Sequence, residues 1–182
     1  MNSFSNIMPR KVTINYKKTQ KVIKVDEMSD WQDAAELLIS KMKPGMVIAL
    51  HGDLGAGKTT LTQYIAKQLG VSKRALSPTF ALIRNYVVKR QRSEASAKEC
   101  RTSNVERPSY VEATAGRRGT LDVGRLVHVD AYRIEDEREL LALDLDEELM
   151  EPGTVMIIEW PERVEEWVKK QKELIRVEIE IQ

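Results

Sequence analysis

The chain has 182 residues, 42% apolar and 31% charged, with a formal net charge of +1. That is enough to bury a core and too balanced to impose a general polyanion-binding or membrane-binding surface. The one cysteine, Cys100, excludes an internal disulfide; "MNSFSNIMPRKVTINYKK" has no secretory apolar core and no apolar run reaches ~18 residues, so a single cytoplasmic domain over 1–182 is expected.

Residues 1–10 lack pattern and are expected to form a flexible tail, followed by two short strands, "KVTINY" and "KVIKV". The run "SDWQDAAELLISKMKPG" predicts a helix: Ser29 and Gln32 have capping-box spacing, Ala34, Leu37, Leu38 and Met42 share a side, and Pro44-Gly45 stops it. The continuous apolar run "MVIALH" predicts a buried strand. After a glycine-rich loop, "TTLTQYIAKQLG" predicts a helix whose apolar face is Leu61, Tyr64, Ile65 and Leu69, with Gly70 as its cap.

Further on, "FALIRNYVV" and "RLVHVD" read as strands that would be hairpin neighbours but for residues 89–124. That segment has few large aliphatics and no sustained period, and is expected to be a flexible insertion. Then come an acidic helix or pair of helices in "EDERELLALDLDEEL", a buried strand "TVMIIEW" and a helix "PERVEEWVKK". The final "LIRVEIEIQ" alternates, with Arg176, Glu178 and Glu180 on one face, which predicts a strand near the sheet edge. Strands alternating with helices favour a three-layer α/β sandwich. Charge is uneven along it: Lys and Arg outnumber Asp and Glu by 13 to 6 in residues 1–88 and are outnumbered 7 to 16 in 131–182. Such asymmetry marks either a docking surface or, more commonly, solvated acidic helices.

The chemistry concentrates in "GDLGAGKTT". Gly52, Gly57, Lys58 and Thr59 meet the pattern G-x-x-x-x-G-K-[ST], with Asp53, Leu54, Gly55 and Ala56 between, and the motif lies where it must, between a strand and a helix. Glycines let successive N–H groups approach phosphate oxygens, the helix offers its positive end, Lys58 supplies a mobile cation and the Thr59 hydroxyl suits a hard cation. Thr60 reads as the start of the helix. A cradle alone transfers nothing, so carboxylates are needed near the cation. Asp130 and Glu159 end apolar strands, and in parallel α/β sheets those ends collect beside the phosphate loop, which favours a functional role; the alternative for Asp130 is to cap the turn after it. Thr79 in "SPTF" is either a switch hydroxyl or part of a plain turn, and Tyr132 and Arg133 are either substrate contacts or a packed pair. His51 and His128 read as packing or support rather than catalysis.

Taken in order, "GDLGAGKTT", "SPTF", "HVDAYR" and "IEWPE", followed by a charged last strand, resemble the TsaE family of small P-loop ATPases over residues 22–88 and 125–182. The resemblance implies a P-loop NTPase sandwich with a mixed, mainly parallel sheet, and ATP and Mg²⁺ as cofactors. Lys58 and the loop from Gly52 to Thr60 would hold the phosphates, and Thr59, Glu159 and Asp130 would serve Mg²⁺. Asp130 resembles the acidic residue needed for ATPase activity, Thr79 the switch threonine, and Trp160 a wall beside the nucleotide. It also implies that ATP turnover supports threonylcarbamoyladenosine formation beside the tRNA anticodon by a TsaD and TsaB heterodimer, with tRNA engaged through that complex and neither DNA nor membrane involved.

The insertion at 89–124 is longer than the family's usual connector. It is either an idle loop or a contact to tRNA or partner through Arg90, Arg92, Arg117 and Arg118. The alternatives to a partner-linked ATPase are a small-molecule kinase with that segment as lid, and a nucleotide-dependent assembly switch with negligible turnover.

Overall fold

The computed structural model describes residues 8–71, 82–88, 123–134, 139 and 142–182. The expected tail, except residues 8–10, lies outside them, as does the insertion except Val123 and Gly124. Seven strands form one mixed sheet in the order β2-β1-β7-β3-β6-β5-β4. They are β1 (Arg10–Tyr16), β2 (Thr19–Val25), β3 (Met46–His51), β4 (Ile83–Val87), β5 (Arg125–Asp130), β6 (Thr154–Glu159) and β7 (Leu174–Ile181). The middle four, β7, β3, β6 and β5, run parallel. An antiparallel hairpin of β1 and β2 extends one side and antiparallel β4 the other, so β4 and β5 pair as neighbours despite the long stretch between them.

Helices cover both faces. On one, α1 (Asp30–Ile39) and α2 (Lys58–Gln68) cover a core that includes Leu38, Leu61, Ile65, Ile48, Ile157 and Ile175. On the other, α3 (Leu145–Met150), α4 (Glu165–Lys169) and the 3-10 turns Ala131–Arg133 and Pro161–Val164 pack on Val47, Ala49, Val127, Val129, Met156 and Ile158. The strict alternation of these residues along β3, β5 and β6 follows from the two-residue side-chain period, and two covered faces explain why those strands read as unbroken apolar runs. This is the expected three-layer α/β sandwich. Among the described residues no helix is long and apolar enough to cross a membrane.

Three local expectations change. Ser29 makes no side-chain cap; Asp30 instead accepts the N–H groups of Asp26 and Glu27, both at 2.8 Å. A carboxylate is the stronger acceptor, and here it ties the entering turn rather than the helix. Strand β7 lies inside the sheet, two places from the edge, because the N-terminal hairpin pairs against it; the true edge on that side is β2, with Lys21 and Lys24 exposed as edges require. The helix expected over 161–170 is divided into a 3-10 turn and the short α4.

Ile48 is fully buried and stands in register between Ile157 and Ile175. Ile48→Ala is expected to cost about 2–5 kcal/mol, read as a lower urea midpoint at unchanged slope. Val22→Ala on exposed β2 should change stability by less than about 0.5 kcal/mol; equal effects would contradict this placement of the core.

Candidate functional site

Strands β3, β6 and β5 end side by side, and the loop 52–57 leaves β3 and turns into α2 across those ends. Both outer glycines are required by space as well as by conformation. Gly52 has φ +141, and a Cβ there would sit 2.5 Å from the carbonyl oxygen of Ile179 in β7. Gly57 has φ +115, and a Cβ there would sit 2.5 Å from the indole of Trp31 in α1. The loop is thus held between the last strand and the first helix. Arg10 of β1 adds a hydrogen bond to the Gly55 carbonyl at 3.4 Å. Ala56 is buried, while Leu54 at the tip is 79% exposed.

Lys58 opens α2 and is itself buried. Its ammonium donates to the carbonyls of Gly52 at 2.5 Å and Asp53 at 2.9 Å, and lies 3.7 Å from the centre of the Trp160 ring. Burial pushes its pKa below the ordinary lysine value, against the pull of Glu159, Glu162, Asp130 and Asp53. Trp160 takes this position because its backbone turns left-handed directly after β6, at φ 59. For a residue with a side chain that conformation costs on the order of 1–3 kcal/mol. Tyr132 packs its ring on the indole, 5.0 Å between centroids.

The second cluster is acidic. Glu159 ends β6 at 2% exposure, accepting from the Thr59 hydroxyl at 2.8 Å and meeting the His128 ring nitrogen Nε2 at 2.8 Å. Asp130 ends β5 in register with Glu159. Its carboxylate accepts the Tyr132 N–H at 3.3 Å, so the capping role is real and leaves it beside the site.

The sequence-predicted residues Gly52 to Thr60, Asp130, Glu159 and Trp160 therefore converge, with Thr60 in the first turn of α2; Thr79 lies outside the described residues. Arg133 is exposed beside them. Sequence reasoning missed Trp31, for which no local signal exists. It read His128 as packing or support without finding its partner Glu159, although His128 and Asp130, two apart on one strand, had to share a face.

The donor set fits a nucleotide with a hard cation. The glycine positions leave a cradle that a side chain would fill, and the helix starts with amides that have no intrahelical acceptor. Thr59 and Glu159 bring oxygen atoms together, with Asp130 alongside. Among the described residues no group of three or more His, Cys, Asp or Glu is arranged to hold a metal. Mg²⁺ is commonly bound by one or two protein carboxylates plus waters and phosphate oxygens, so this set suffices for it.

Across the sheet, His51 lies with its Nδ1 3.6 Å from Glu162 and its Nε2 3.4 Å from Arg176, which also pairs with Glu165 at 3.1 Å. Burial, and secondarily Arg176, lowers the His51 pKa, with Glu162, Glu165 and Glu178 opposing.

The family model for the threonylcarbamoyl adenosine biosynthesis protein TsaE matches residues 25–95 and 91–182. Curated tRNA threonylcarbamoyladenosine biosynthesis proteins TsaE are similar: that of Bacillus subtilis (strain 168) is 33% identical over 138 residues, 76% of this chain and 65% of the relative. That of Nostoc sp. is 36% identical over 133 residues, covering 70% and 60%. The chain thus spans somewhat under two thirds of these relatives' length. A crystal structure of YdiB from Bacillus subtilis superposes with a TM-score of 0.45 at 23% identity, covering 89% of this chain and 72% of that one, too loose a fit to argue from.

Gly57→Ala is expected to destabilise by about 1–3 kcal/mol from the positive φ alone, and further from the clash with Trp31. In a Trp31→Leu background, itself destabilised by the lost core volume, Gly57→Ala should cost only the conformational component, and thermal melts of both single variants and the double separate the two; full tolerance of Gly57→Ala would refute the close approach.

Lowering pH through about 6.5 protonates His51 in the unfolded chain before the folded one. Stability should fall as pH drops through that value, until the lower folded-state pKa is passed. His51→Gln should lose less stability than the parent as pH falls from neutral through about 6.5, as denaturant midpoints at each pH would show; parallel profiles would exclude the effect.

Proposed function

Because the chain belongs to the TsaE family of threonylcarbamoyl adenosine biosynthesis proteins, we propose that it binds ATP with Mg²⁺ and hydrolyses it in support of threonylcarbamoyladenosine formation on tRNA. The modification chemistry is assigned to a TsaD and TsaB heterodimer, through which tRNA is engaged, and this chain supplies the nucleotide turnover in the cytoplasm. The observation that carries the reading is the Thr59–Glu159 hydrogen bond at the start of α2. Oxygen groups from the first helical turn and from a neighbouring strand end meet where a phosphate loop delivers its ligand.

Bound with ATP, Mg²⁺ would neutralise charge on the transferring phosphoryl group. Thr59 and Glu159 are the residues to hold it, and Asp130 stands next to them. With ATP bound, Lys58 would exchange the carbonyls of Gly52 and Asp53 for phosphate oxygens; its ammonium is already out of water, so a charged acceptor would replace two neutral ones at little further desolvation of the lysine. Such a movement would also take the cation off the Trp160 ring. Asp130, held by the Tyr132 N–H, would accept from or orient an attacking water. Thr79 would supply a hydroxyl to the γ-phosphate, as the family resemblance implies.

Lys58→Ala is expected to reduce ATP turnover by on the order of 10²-fold or more, and to abolish tRNA modification in a reconstituted TsaD and TsaB reaction. Addition of that pair should stimulate turnover by the parent protein. In the parent, Mg²⁺ and ATP should change Trp160 fluorescence; Lys58→Ala should already show an altered nucleotide-free signal. Full modification with Asp130→Asn at undetectable turnover would favour an assembly switch, and a phosphorylated small acceptor formed without partners would favour a kinase.

A further inference from the structure

We propose that His128 is a positioning residue for Glu159, holding one carboxylate oxygen so that the other is presented to Thr59 and to the cation side of the site. The inference rests on the ATP and Mg²⁺ reading above and assigns a role to a residue that this reading leaves unused.

His128 is fully buried in β5, in register between Arg84 of β4 and Ile157 of β6. Its neighbours along that face of the strand are Leu126, in the core under α2, and Asp130, at the site. An aliphatic side chain would suit such a place better, since a buried polar nitrogen without a partner is costly. One nitrogen does have a partner: Nε2 meets Glu159 Oε1 at 2.8 Å. A carboxylate ionised to take a cation only accepts, and Nε2 then carries the hydrogen and donates. The other nitrogen, Nδ1, is buried without a hydrogen-bond partner among the described residues. The ring is therefore oriented by a single polar contact, and that contact ends on the carboxylate of the site.

The carboxylate uses its second oxygen, Oε2, on the Thr59 hydroxyl at 2.8 Å. His128, Glu159 and Thr59 thus form a line running from the sheet interior to the first turn of α2, and each group spends a different atom on it. A glutamate has three side-chain torsions, and anchoring Oε1 removes most of their freedom. This is the arrangement by which a ligating carboxylate is aimed by a group behind it, and loss of such a group commonly costs 10- to 100-fold in metal affinity.

The test compares His128→Gln, whose amide N–H reaches as far as Nε2, with His128→Asn, which keeps a buried amide but falls short of Glu159, and with His128→Leu. Each full-length variant is titrated with a non-hydrolysable ATP analogue in EDTA and then with Mg²⁺ at saturating analogue, following tryptophan fluorescence, and turnover is measured separately. The proposal expects Mg²⁺-free analogue affinity within about twofold of the parent for all that fold. It expects the Mg²⁺ midpoint to rise on the order of tenfold for His128→Asn and His128→Leu, and to return to within about threefold of the parent for His128→Gln. Turnover at saturating Mg²⁺ should recover in part.

Should His128→Leu fail to fold, the Gln and Asn pair decides alone, since both place an amide in the same cavity. Equal Mg²⁺ midpoints for Gln and Asn, or a parent-like midpoint in His128→Asn, would overturn the positioning role and leave the ATPase reading standing. A parent protein that binds the analogue with no Mg²⁺ dependence would overturn both.

Discussion

A carboxylate at 2% exposure survives in a fold only if donors satisfy it, and Glu159 has one on each oxygen, Thr59 from α2 and His128 from β5. Those two bonds tie two separate elements, α2 and β5, to the end of β6. They set the start of α2 relative to the sheet, and hence where the glycine loop must pass. They also explain why the site lies on the α1 and α2 side: Glu159, Asp130 and His128 all occupy strand positions whose side chains point to that face, alternating with the residues that build the opposite core.

The glycine loop is shaped from outside as much as from within. A side chain at its first glycine would strike the β7 backbone and one at its last would strike Trp31, so two elements far apart in sequence define the two ends of the cradle. Between them the ammonium of Lys58 rests on loop carbonyls and on the Trp160 ring. Such a buried cation is stabilised by dipoles and a π-face rather than by a full anion, which is why burial dominates its shifted pKa. The left-handed backbone at Trp160 serves the same arrangement, turning the chain so that the indole directly follows the buried carboxylate and lies over the lysine.

Much of this was legible in the residues, because the signals were local. "MVIALH" and "RLVHVD" coincide with β3 and β5 residue for residue, and the glycine pattern between strand and helix identified Lys58 and Thr59 directly. Strand ends gave Asp130 and Glu159, since parallel topology brings such ends together. The pairing of β7 was not legible. The polar alternation of β7 mimics an edge strand, yet its position depends on the hairpin β1 and β2 joining its free side. The expected cap at Ser29 lost to a carboxylate one residue later, a competition that spacing rules do not rank. Trp31 and His128 act through contacts to Gly57 and Glu159, in other elements, where no periodicity marks the partner.

The order of the strands has a consequence for how the site is completed. Strand β3 carries the loop, but its neighbours are β6 and β7, both contributed after residue 150. The Gly52 approach needs the Ile179 carbonyl in place, and β7 in turn is bracketed by β1, whose Arg10 reaches the Gly55 carbonyl. The loop that reads as self-contained in sequence is therefore finished by the first and last strands together. Closing those non-local pairings carries the loop-closure entropy of nearly the whole chain. The glycine loop thus belongs to the cooperative unit of the sheet rather than to a preformed local motif, and the geometry of Lys58 depends on pairing some 120 residues away in sequence.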